Sequence, residues 1–346
     1  MSPEQQEISG NAEGELGPCE SGPSLESVLA LGPEHPLQEN VIAFKFGGSS
    51  LLGAERLLNA ARLVHEEWQT RPVVAVVSAM KGVTDRLLRV GQLLSEGRSL
   101  HARKEAESIA EQHLATLEDL CLEPAEHERL EQELELLTED LLHEAPLSGH
   151  VETNGATLDW LASFGERYAA RLLAAALCKI GADAVPVASS DFVLTCDNFR
   201  EAKPHLEHTR RRGREILLPL LEAGIVPVVT GFIGATQDGR ITTLGRNSSD
   251  FSGALIAHVV DAVELVIWTD VDGIYTANPN ESAEAQLLHE LSYDEAQALA
   301  ANGAKVLHPH VLPLAAQTEM TVWVRNTFKP QGRGTRISAK ENGGWE

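Results

Sequence analysis

The chain lacks several features that would assign it at once to a class of protein. Its 51 Asp and Glu residues outnumber 28 Lys and Arg residues, and the formal net charge is -23. This excess of negative charge repels nucleic acid and anionic membrane surfaces. No uninterrupted apolar run approaches the ~18 residues that span a bilayer. The first 40 residues contain no Lys or Arg, unlike a targeting signal. We therefore predict a cytoplasmic protein with no nucleic-acid or membrane partner.

Cysteine is scarce, and no two cysteines form a CxxC pair. The four cysteines are Cys19, Cys121, Cys178 and Cys196. Cys121 and Cys178 fall in apolar helical patterns, so we expect both to be reduced core thiols. This usage is typical of a reducing compartment.

Residues 1 to about 40 differ in composition from the rest of the chain. They contain eight Glu and many Gly, Pro and Ser residues. Such a segment offers too little apolar surface to offset the entropy of ordering, so we predict a disordered acidic tail over residues 1–40. Composition leaves open whether this tail is a docking or solubilising arm or a passive extension.

From Val41 onward, short apolar runs alternate with helical stretches. This alternation indicates an α/β fold with a largely parallel, buried sheet. Leucines at helical spacing on either side of Pro124 also predict a helical excursion at about residues 95–150. The predicted strands are Val41–Phe46, Pro72–Ser78, Ala184–Ala188, Ile225–Phe232, Glu264–Thr269 and Met320–Arg325.

The segment KFGGSS, residues 45–50, joins the first strand to a helix that begins near Ala54. Glycines let backbone N–H groups approach an anion closely, and a helix N-terminus favours negative charge. The segment is neither a GxxxxGK[ST] loop nor a GxGxxG turn, and Lys45 precedes the glycines. Both a phosphate site and an ordinary turn fit this pattern.

Polar turns follow several other predicted strands. Because ligands of parallel sheets collect at the carboxyl ends of the strands, these turns should face one crevice. Ser78 and Thr84 follow the second strand, although a turn residue and a helix N-cap would look the same. Arg246 offers a planar fork suited to a carboxylate, and Asp250 lies near the start of a helix at about Phe251.

Glu166 is a charged residue in an alanine-rich helix predicted over roughly Leu158–Lys179, directly after Gly165. A Gly inside a helix costs about 1 kcal/mol relative to Ala, so close packing or ligand approach is expected there. Glu166 could pair with Arg167 or hold a substrate ammonium group, and the sequence favours neither.

Two other clusters resemble binding sites, one for zinc and one for nucleic acid, that we do not predict. His308 and His310 flank Pro309 without clustered partners, so loop packing is expected in place of zinc. The arginine cluster has no aromatic platform, so a solvated helix face is expected in place of nucleic-acid binding. Its members are Arg210, Arg211, Arg212 and Arg214.

Together the motifs resemble those of aspartokinases, in order and in spacing. They are KFGGSS, SFGERYAA, GFIGA, TTLGRNSSD, WTDVDGIYTANP and NGAKVLHP, within a match over about residues 41–338. The resemblance implies the amino-acid kinase fold, a three-layer α/β/α sandwich with a mainly parallel central sheet, over residues 41–340. It also implies transfer of the γ-phosphoryl group of ATP to the side-chain carboxylate of L-aspartate, with Mg²⁺ bridging phosphate oxygens. This reaction starts the biosynthesis of lysine, threonine and methionine.

The resemblance assigns roles to individual residues. Lys45 and the backbone of Gly47 and Gly48 would neutralise the transferring group, and Asp250 would orient Lys45. The acceptor would lie among Ser78, Thr84, Glu166, Phe232, Arg246 and Ser249, with Glu166 on its ammonium and Arg246 on a carboxylate. The nucleotide would contact Lys45, Gly48, Ser49, Thr269, Asp270, Tyr275 and Lys305. No dedicated metal cage is implied.

The chain departs from the aspartokinase pattern at three places. Asn247 and Ser248 stand where these enzymes commonly carry two glycines, and Asn280 stands where many carry Arg. These residues put acceptor specificity and ATP affinity in question. The sequence also stops soon after Ser338, where aspartokinases usually continue into ACT domains, so we expect no feedback inhibition by lysine or threonine. Because family members commonly dimerise, the resemblance also implies a homodimer.

Two alternatives to an aspartate kinase stay open from the sequence. One is a kinase of the same fold that phosphorylates another carboxylate. The other is a partner protein that binds nucleotide or aspartate without turnover.

Overall fold

Short runs of buried, mostly β-branched residues form one eight-stranded sheet. The computed structural model describes residues 40–146, 153–246, 248–277, 282, 284–301 and 307–339. All six predicted strands are present, within a few residues of the predicted bounds. The sheet consists of β1 (Ile42–Phe46), β2 (Val73–Val77), β3 (Ala184–Val187), β4 (Val226–Thr230), β7 (Glu264–Thr269), β10 (Glu290–Ser292), β11 (Thr321–Asn326) and β12 (Thr335–Ser338).

The strands are mainly parallel, in the order β10-β12-β11-β7-β1-β2-β4-β3. Only β12 pairs antiparallel with β11, and β10 runs parallel to β12. Strand β1 lies near the centre, with Lys45 beside Val76 of β2 and Ile267 of β7. The carboxyl ends of β1, β2, β4 and β7 therefore meet at one edge.

Nine helices in the described part of the chain cover the two faces of this sheet. One face carries α1 (Ala54–Trp68), α2 (Val83–Ser95), α3 (Ser99–Leu120), α4 (Pro124–Glu144) and α5 (Gly155–Lys179). The other face carries α6 (Leu206–Glu222), α7 (Ser249–Val259), α8 (Tyr293–Ala301) and α9 (Val311–Thr318). The chain thus has the predicted three-layer α/β/α architecture.

Alternation along β1 sorts its side chains between two separate cores. Phe44 and Phe46 pack with α1 and α5, whereas Ala43 packs on the opposite face with α6 and α7. Lys45 follows the same alternation and lies beneath α7, where a Cβ at Gly253 would stand 3.0 Å from the Lys45 Cβ. The two-residue alternation of side chains along β1 therefore directs Lys45 toward α7.

The helical excursion has the predicted form. Helices α3 and α4 are separated at Pro124, the first residue of α4, where its missing N–H costs nothing. Leu130, Leu134, Leu137 and Leu141 form the buried stripe of α4. No helix among the described residues is both long and apolar enough to cross a membrane.

The prediction that Cys121 is a core thiol is wrong, and Cys178 is only half-buried. Cys121 ends α3 in the left-handed conformation, with φ of 50°, so the helical pattern stops one residue before it. The Cys178 thiol donates to the carbonyl of Ala184 at 3.5 Å.

Part of the arginine cluster contacts the protein instead of facing solvent. Arg210 donates to the carbonyl of His258 at 3.0 Å, and Arg214 donates to that of Val259 at 3.5 Å. Both also pair with Asp261. These cations cap the carboxyl end of α7, which favours positive charge.

Candidate active site

The polar turns converge on one cleft of about 430 Å³ at the carboxyl ends of β2 and β4. All six residues predicted to bind the acceptor line it: Ser78, Thr84, Glu166, Phe232, Arg246 and Ser249. They come from four separate stretches of the chain, and the parallel sheet brings those stretches together. Helix α2 begins at Val83 after Gly82, so Thr84 is not its N-cap.

Lys45 forms a buried ion pair beside this cleft. Its Nζ donates to Oδ1 of Asp250 at 2.6 Å, and Lys45 is only 5% exposed. Strand β1 supplies the lysine and the first turn of α7 supplies the aspartate. Because both groups are charged and mostly removed from water, each fixes the position of the other.

The turn after β1 packs tightly on the turn after β2. The Lys81 backbone N–H donates to the carbonyl of Gly48 at 3.0 Å. The Gly47 backbone N–H donates to the carbonyl of Trp268, also at 3.0 Å. A Cβ at Gly48 would lie 2.4 Å from the Ala79 carbonyl oxygen. Only glycine fits at Gly48, so the lysine-bearing turn and the cleft wall are held together.

Glu166 is buried in the cleft wall, and only one of its two carboxylate oxygens has a hydrogen-bond partner among the described residues. Its Oε1 accepts from the Ala79 N–H at 3.0 Å, whereas its Oε2 has no hydrogen-bond partner among the described residues. Burial raises the pKa of Glu166 to about 8, against the opposing influences of the Ala79 N–H and the Lys45 charge. Arg167 instead lies near Asp140, at 3.6 Å. The free oxygen suits a cation that enters the cleft.

Close packing explains Gly165, which precedes this carboxylate. A Cβ there would stand 2.5 Å from the Ala79 Cβ and 3.3 Å from Val83 Cγ1. The glycine therefore lets α5 lie directly against the turn whose N–H binds Glu166.

Phe232 forms a strained corner of the cleft. Its φ is +65°, and the Ile233 N–H donates to the Gly231 carbonyl at 2.7 Å across it. Such a conformation is unfavourable for a bulky residue. The Ser252 hydroxyl accepts from the Phe232 N–H at 2.7 Å and supports the corner.

Arg246 lies at the mouth of the cleft and not inside it. It is 76% exposed and pairs with Asp85, itself 77% exposed, at 3.1 Å. The pair joins the loop after β6 (Ile241–Thr243) to the first turn of α2. Exposed pairs of this kind are worth less than about 1 kcal/mol, so Arg246 can exchange Asp85 for a substrate carboxylate.

The predicted nucleotide contacts follow β7. Thr269 ends that strand, Asp270 is exposed 3.9 Å from the Lys81 ammonium, and Tyr275 lies in the short hairpin β8 (Ile274–Tyr275) with β9 (Leu287–Leu288). Lys305, Asn247 and Asn280 lie outside the described residues.

The two histidines rejected as zinc ligands pack around one ring. His308 and His310 lie with their ring centroids 5.7 Å and 5.3 Å from that of Phe251, in the first turn of α7. Their partner is therefore an aromatic side chain at the start of the helix that carries Asp250.

Sequence reasoning missed a charged residue of the cleft wall, Arg200, and the buried carboxylate that holds it, Asp159. Asp159 is fully buried on α5 and accepts from the backbone N–H and the hydroxyl of Thr243, at 3.0 Å and 2.6 Å. Arg200, which lines the cleft, donates its own N–H to Asp159 at 2.8 Å. One signal was visible: Asp159 precedes Glu166 by seven residues, which places two carboxylates on one face of an apolar helix. Nothing in the sequence distinguished Arg200.

A model of the amino acid kinase family matches residues 40–326. Because this stretch is most of the chain, the chain belongs to the amino acid kinase family. The predicted resemblance to aspartokinases is confirmed by relatives. Aspartokinase 3, chloroplastic, of Arabidopsis thaliana is 36% identical over 303 residues, which are 85% of this chain and 52% of that protein. Lysine-sensitive aspartokinase 3 of Escherichia coli K12 is 33% identical over 300 residues, which are 87% of this chain and 64% of that protein.

A solved structure agrees with this assignment. Escherichia coli aspartokinase III in complex with aspartate and ADP superimposes with a TM-score of 0.80 at 31% identity. The match covers 88% of this chain and 66% of that one. This chain therefore spans about half to two thirds of the length of the relatives that it matches.

Proposed function

We propose that the chain is an aspartate kinase, which transfers the γ-phosphoryl group of ATP to the side-chain carboxylate of L-aspartate. The observation that carries this proposal is the unpartnered, buried Oε2 of Glu166 in a cleft whose mouth holds Arg246. A carboxylate and a guanidinium in one cleft match the ammonium and carboxylate of an amino acid. The aspartokinase relatives and the structure with aspartate and ADP support the same acceptor.

The acceptor carboxylate is already a nucleophile, so the reaction needs no general base. The protein must align the two substrates and neutralise the charge that develops on the transferring group. Lys45, held at 2.6 Å by Asp250, supplies that positive charge. The backbone N–H groups of Gly48 and Ser49 supply donors, whereas the Gly47 N–H is already bonded to the Trp268 carbonyl. Glu166 and Arg246 orient the acceptor, and Ser78, Thr84, Phe232 and Ser249 enclose it.

The nucleotide lies along Thr269, Asp270 and Tyr275 in this proposal, and Lys305 reaches its phosphates. Mg²⁺ bound with the nucleotide would neutralise part of the charge of its phosphates. The exposed carboxylate of Asp270, at the same edge of the sheet, is an oxygen ligand of the kind that this ion prefers. Lys45 supplies positive charge to the phosphoryl group from the protein.

A second candidate is a kinase for another carboxylate acceptor. Ser248 favours it, because this residue is buried in the cleft and its hydroxyl has no hydrogen-bond partner among the described residues. An acceptor with one more polar group would satisfy that hydroxyl.

An acceptor panel separates the two candidates. ADP release from Mg-ATP is followed with L-aspartate, L-glutamate, N-acetyl-L-aspartate and succinate, with and without EDTA. The aspartate-kinase proposal expects EDTA-sensitive release with L-aspartate and little with succinate, which lacks the ammonium group. Faster turnover of another compound would identify that compound, and not L-aspartate, as the acceptor.

A further inference from the structure

We propose that Arg200 binds the α-carboxylate of the acceptor from inside the cleft, held in place by Asp159. The inference rests on the proposed function, because it assigns a further residue to the same acceptor. It depends on three observations: the strained backbone of Arg200, the buried carboxylate that fixes it, and the unused nitrogen of its guanidinium.

The backbone conformation of Arg200 is one that glycine normally adopts. Its φ is +76°, and it is the third residue of a turn closed by the Glu201 N–H on the Asn198 carbonyl at 3.2 Å. The third position of a turn with positive φ strongly favours Gly or Asn. Strained residues of this kind concentrate at functional sites.

Asp159 fixes this turn against the cleft wall. It is fully buried, and its two oxygens accept from the Arg200 N–H and from both the N–H and the hydroxyl of Thr243. These three donors already satisfy the carboxylate. The Arg200 guanidinium lies farther away, with Nη1 at 3.7 Å from Oδ1 of Asp159, so it adds a charge interaction and no hydrogen bond.

The guanidinium is thus positioned by the charge of Asp159, and its Nη1 makes no hydrogen bond within the described residues. Arg200 lines the cleft with its side chain 31% exposed, and its buried Nη1 has no hydrogen-bond partner among the described residues. Buried polar groups normally have one, so a ligand with an acceptor oxygen is expected. A carboxylate matches the planar fork of a guanidinium.

The proposed reaction leaves the α-carboxylate of the acceptor for Arg200, because the side-chain carboxylate must face the phosphoryl group beside Lys45. Asp159 and Glu166 are seven residues apart on α5, so they lie on the same face, about 10 Å apart along the helix axis. Helix α5 thereby presents a free carboxylate oxygen at one point and, through Asp159, a guanidinium two turns away. An ammonium on Glu166 leaves the α-carboxylate of the same molecule for Arg200, together with Arg246 at the mouth.

The test replaces Arg200 with glycine, which suits a φ of +76° and keeps the N–H bond to Asp159. We expect Arg200→Gly to raise the KM for L-aspartate by about 10- to 100-fold, the range for a lost charged hydrogen bond. The melting temperature should stay level or rise, because the backbone strain is relieved. The inhibition constant of L-aspartic acid α-amide, which lacks the α-carboxylate charge, should rise less than about threefold, because the interaction is specific to that charge. Arg200→Lys, which retains the charge, should recover part of the affinity.

Glu319→Gly is the matched control, because Glu319 also has a positive φ, of 53°, and lies outside the cleft. It should relieve strain without changing the KM. The inference is overturned if Arg200→Gly leaves the KM for L-aspartate unchanged. It is also overturned if the variant weakens the binding of L-aspartate and of its α-amide by the same factor. If the wild-type protein neither binds nor phosphorylates L-aspartate, the proposed function fails and this inference fails with it; a wild type that is active on L-aspartate isolates the role of Arg200.

Discussion

The charge of Glu166 controls how pH acts on the acceptor cleft. The pKa of this carboxyl is raised to about 8 by burial, so at pH 7 the empty cleft holds mostly the protonated form. Protonation stabilises the folded state; this contribution is complete below the unfolded pKa near 4.5 and is lost as the pH rises through about 8.

Acceptor binding should therefore release a proton near pH 7. An ammonium group beside Oε2 favours the ionised carboxylate, so on the order of one proton should leave per L-aspartate bound. Calorimetry in two buffers of different ionisation enthalpy measures this number. Glu166→Gln should bind L-aspartate more weakly and release no proton from this site. Tight binding by wild type without proton release would contradict the role given to Glu166.

At the scale of single residues, the sequence identified groups that stand in recognisable motifs and missed those whose role depends on tertiary contacts. Lys45 and Asp250 stand in recognisable sequence motifs, and the structure brings their side chains within 2.6 Å. Arg200 has no such signal, because its importance comes from a backbone angle and from a contact with Asp159, 41 residues earlier in the chain. Tertiary contacts of this kind cannot be read from local spacing.

At the scale of elements, the packing of α5 on the turn after β2 sets the geometry of the cleft. Gly165→Ala would place a methyl group 2.5 Å from the Ala79 Cβ and push that turn away. We expect a net loss of about 1–3 kcal/mol in the free energy of unfolding, as for other overpacked sites. The KM for L-aspartate should rise as well, because the Ala79 N–H positions Glu166. Denaturant titration and steady-state kinetics measure the two effects.

Gly91→Ala is the control for helix propensity. Both glycines lie inside helices, so both replacements gain about 1 kcal/mol of propensity. The nearest atoms to the new methyl at Gly91 would be terminal methyl carbons of Leu158 and Leu161, which can move. We expect this variant to keep the KM of the wild type. Equal effects of both variants on the KM would show that the contact between α5 and Ala79 does not determine acceptor binding.

Among elements, the long buried strands were predictable and the short ones were not. Residues 226–230 and 264–269 are apolar runs that flanking turns delimit. The hairpin of β5 (Ile233–Ala235) with β6 has strands of only three residues, too short to show a period. Helix α5 begins at Gly155, three residues before the predicted start, because the Asn154 side chain accepts from the Thr157 N–H and caps it.

At the scale of the whole molecule, the two large hydrophobic cores cover the two faces of one sheet within the described residues from 40 onward. Deleting residues 1–38, which are most of the acidic tail predicted over residues 1–40, should therefore leave the melting temperature within about 2 °C of the full chain, with a single transition. Scanning calorimetry of the two proteins measures this. A fall of several degrees in the melting temperature would show that the tail packs on the domain. It would contradict the interpretation of the tail as a passive extension.

The three-layer fold was predictable because its pattern is distributed along the whole chain. Alternating strands and helices, with polar turns at successive strand ends, specify a parallel sheet whose ligand edge is known in advance. The eight-strand order and the reversed β12 depend on long-range pairing, for example Val322 beside Ile337, and no local pattern encodes it.

The most direct test of the central claim traps the product of phosphoryl transfer. Purified protein is incubated with Mg-ATP, L-aspartate and hydroxylamine, which converts an acyl phosphate to a hydroxamate that mass spectrometry identifies. The proposed function predicts aspartyl β-hydroxamate from wild type. Lys45→Ala should reduce its rate by about 10³-fold or more through the loss of charge at the transferring group. Lys104→Ala, at an exposed lysine of α3, should match wild type. ATP binding without hydroxamate from the folded wild-type protein would contradict aspartate phosphorylation by this chain.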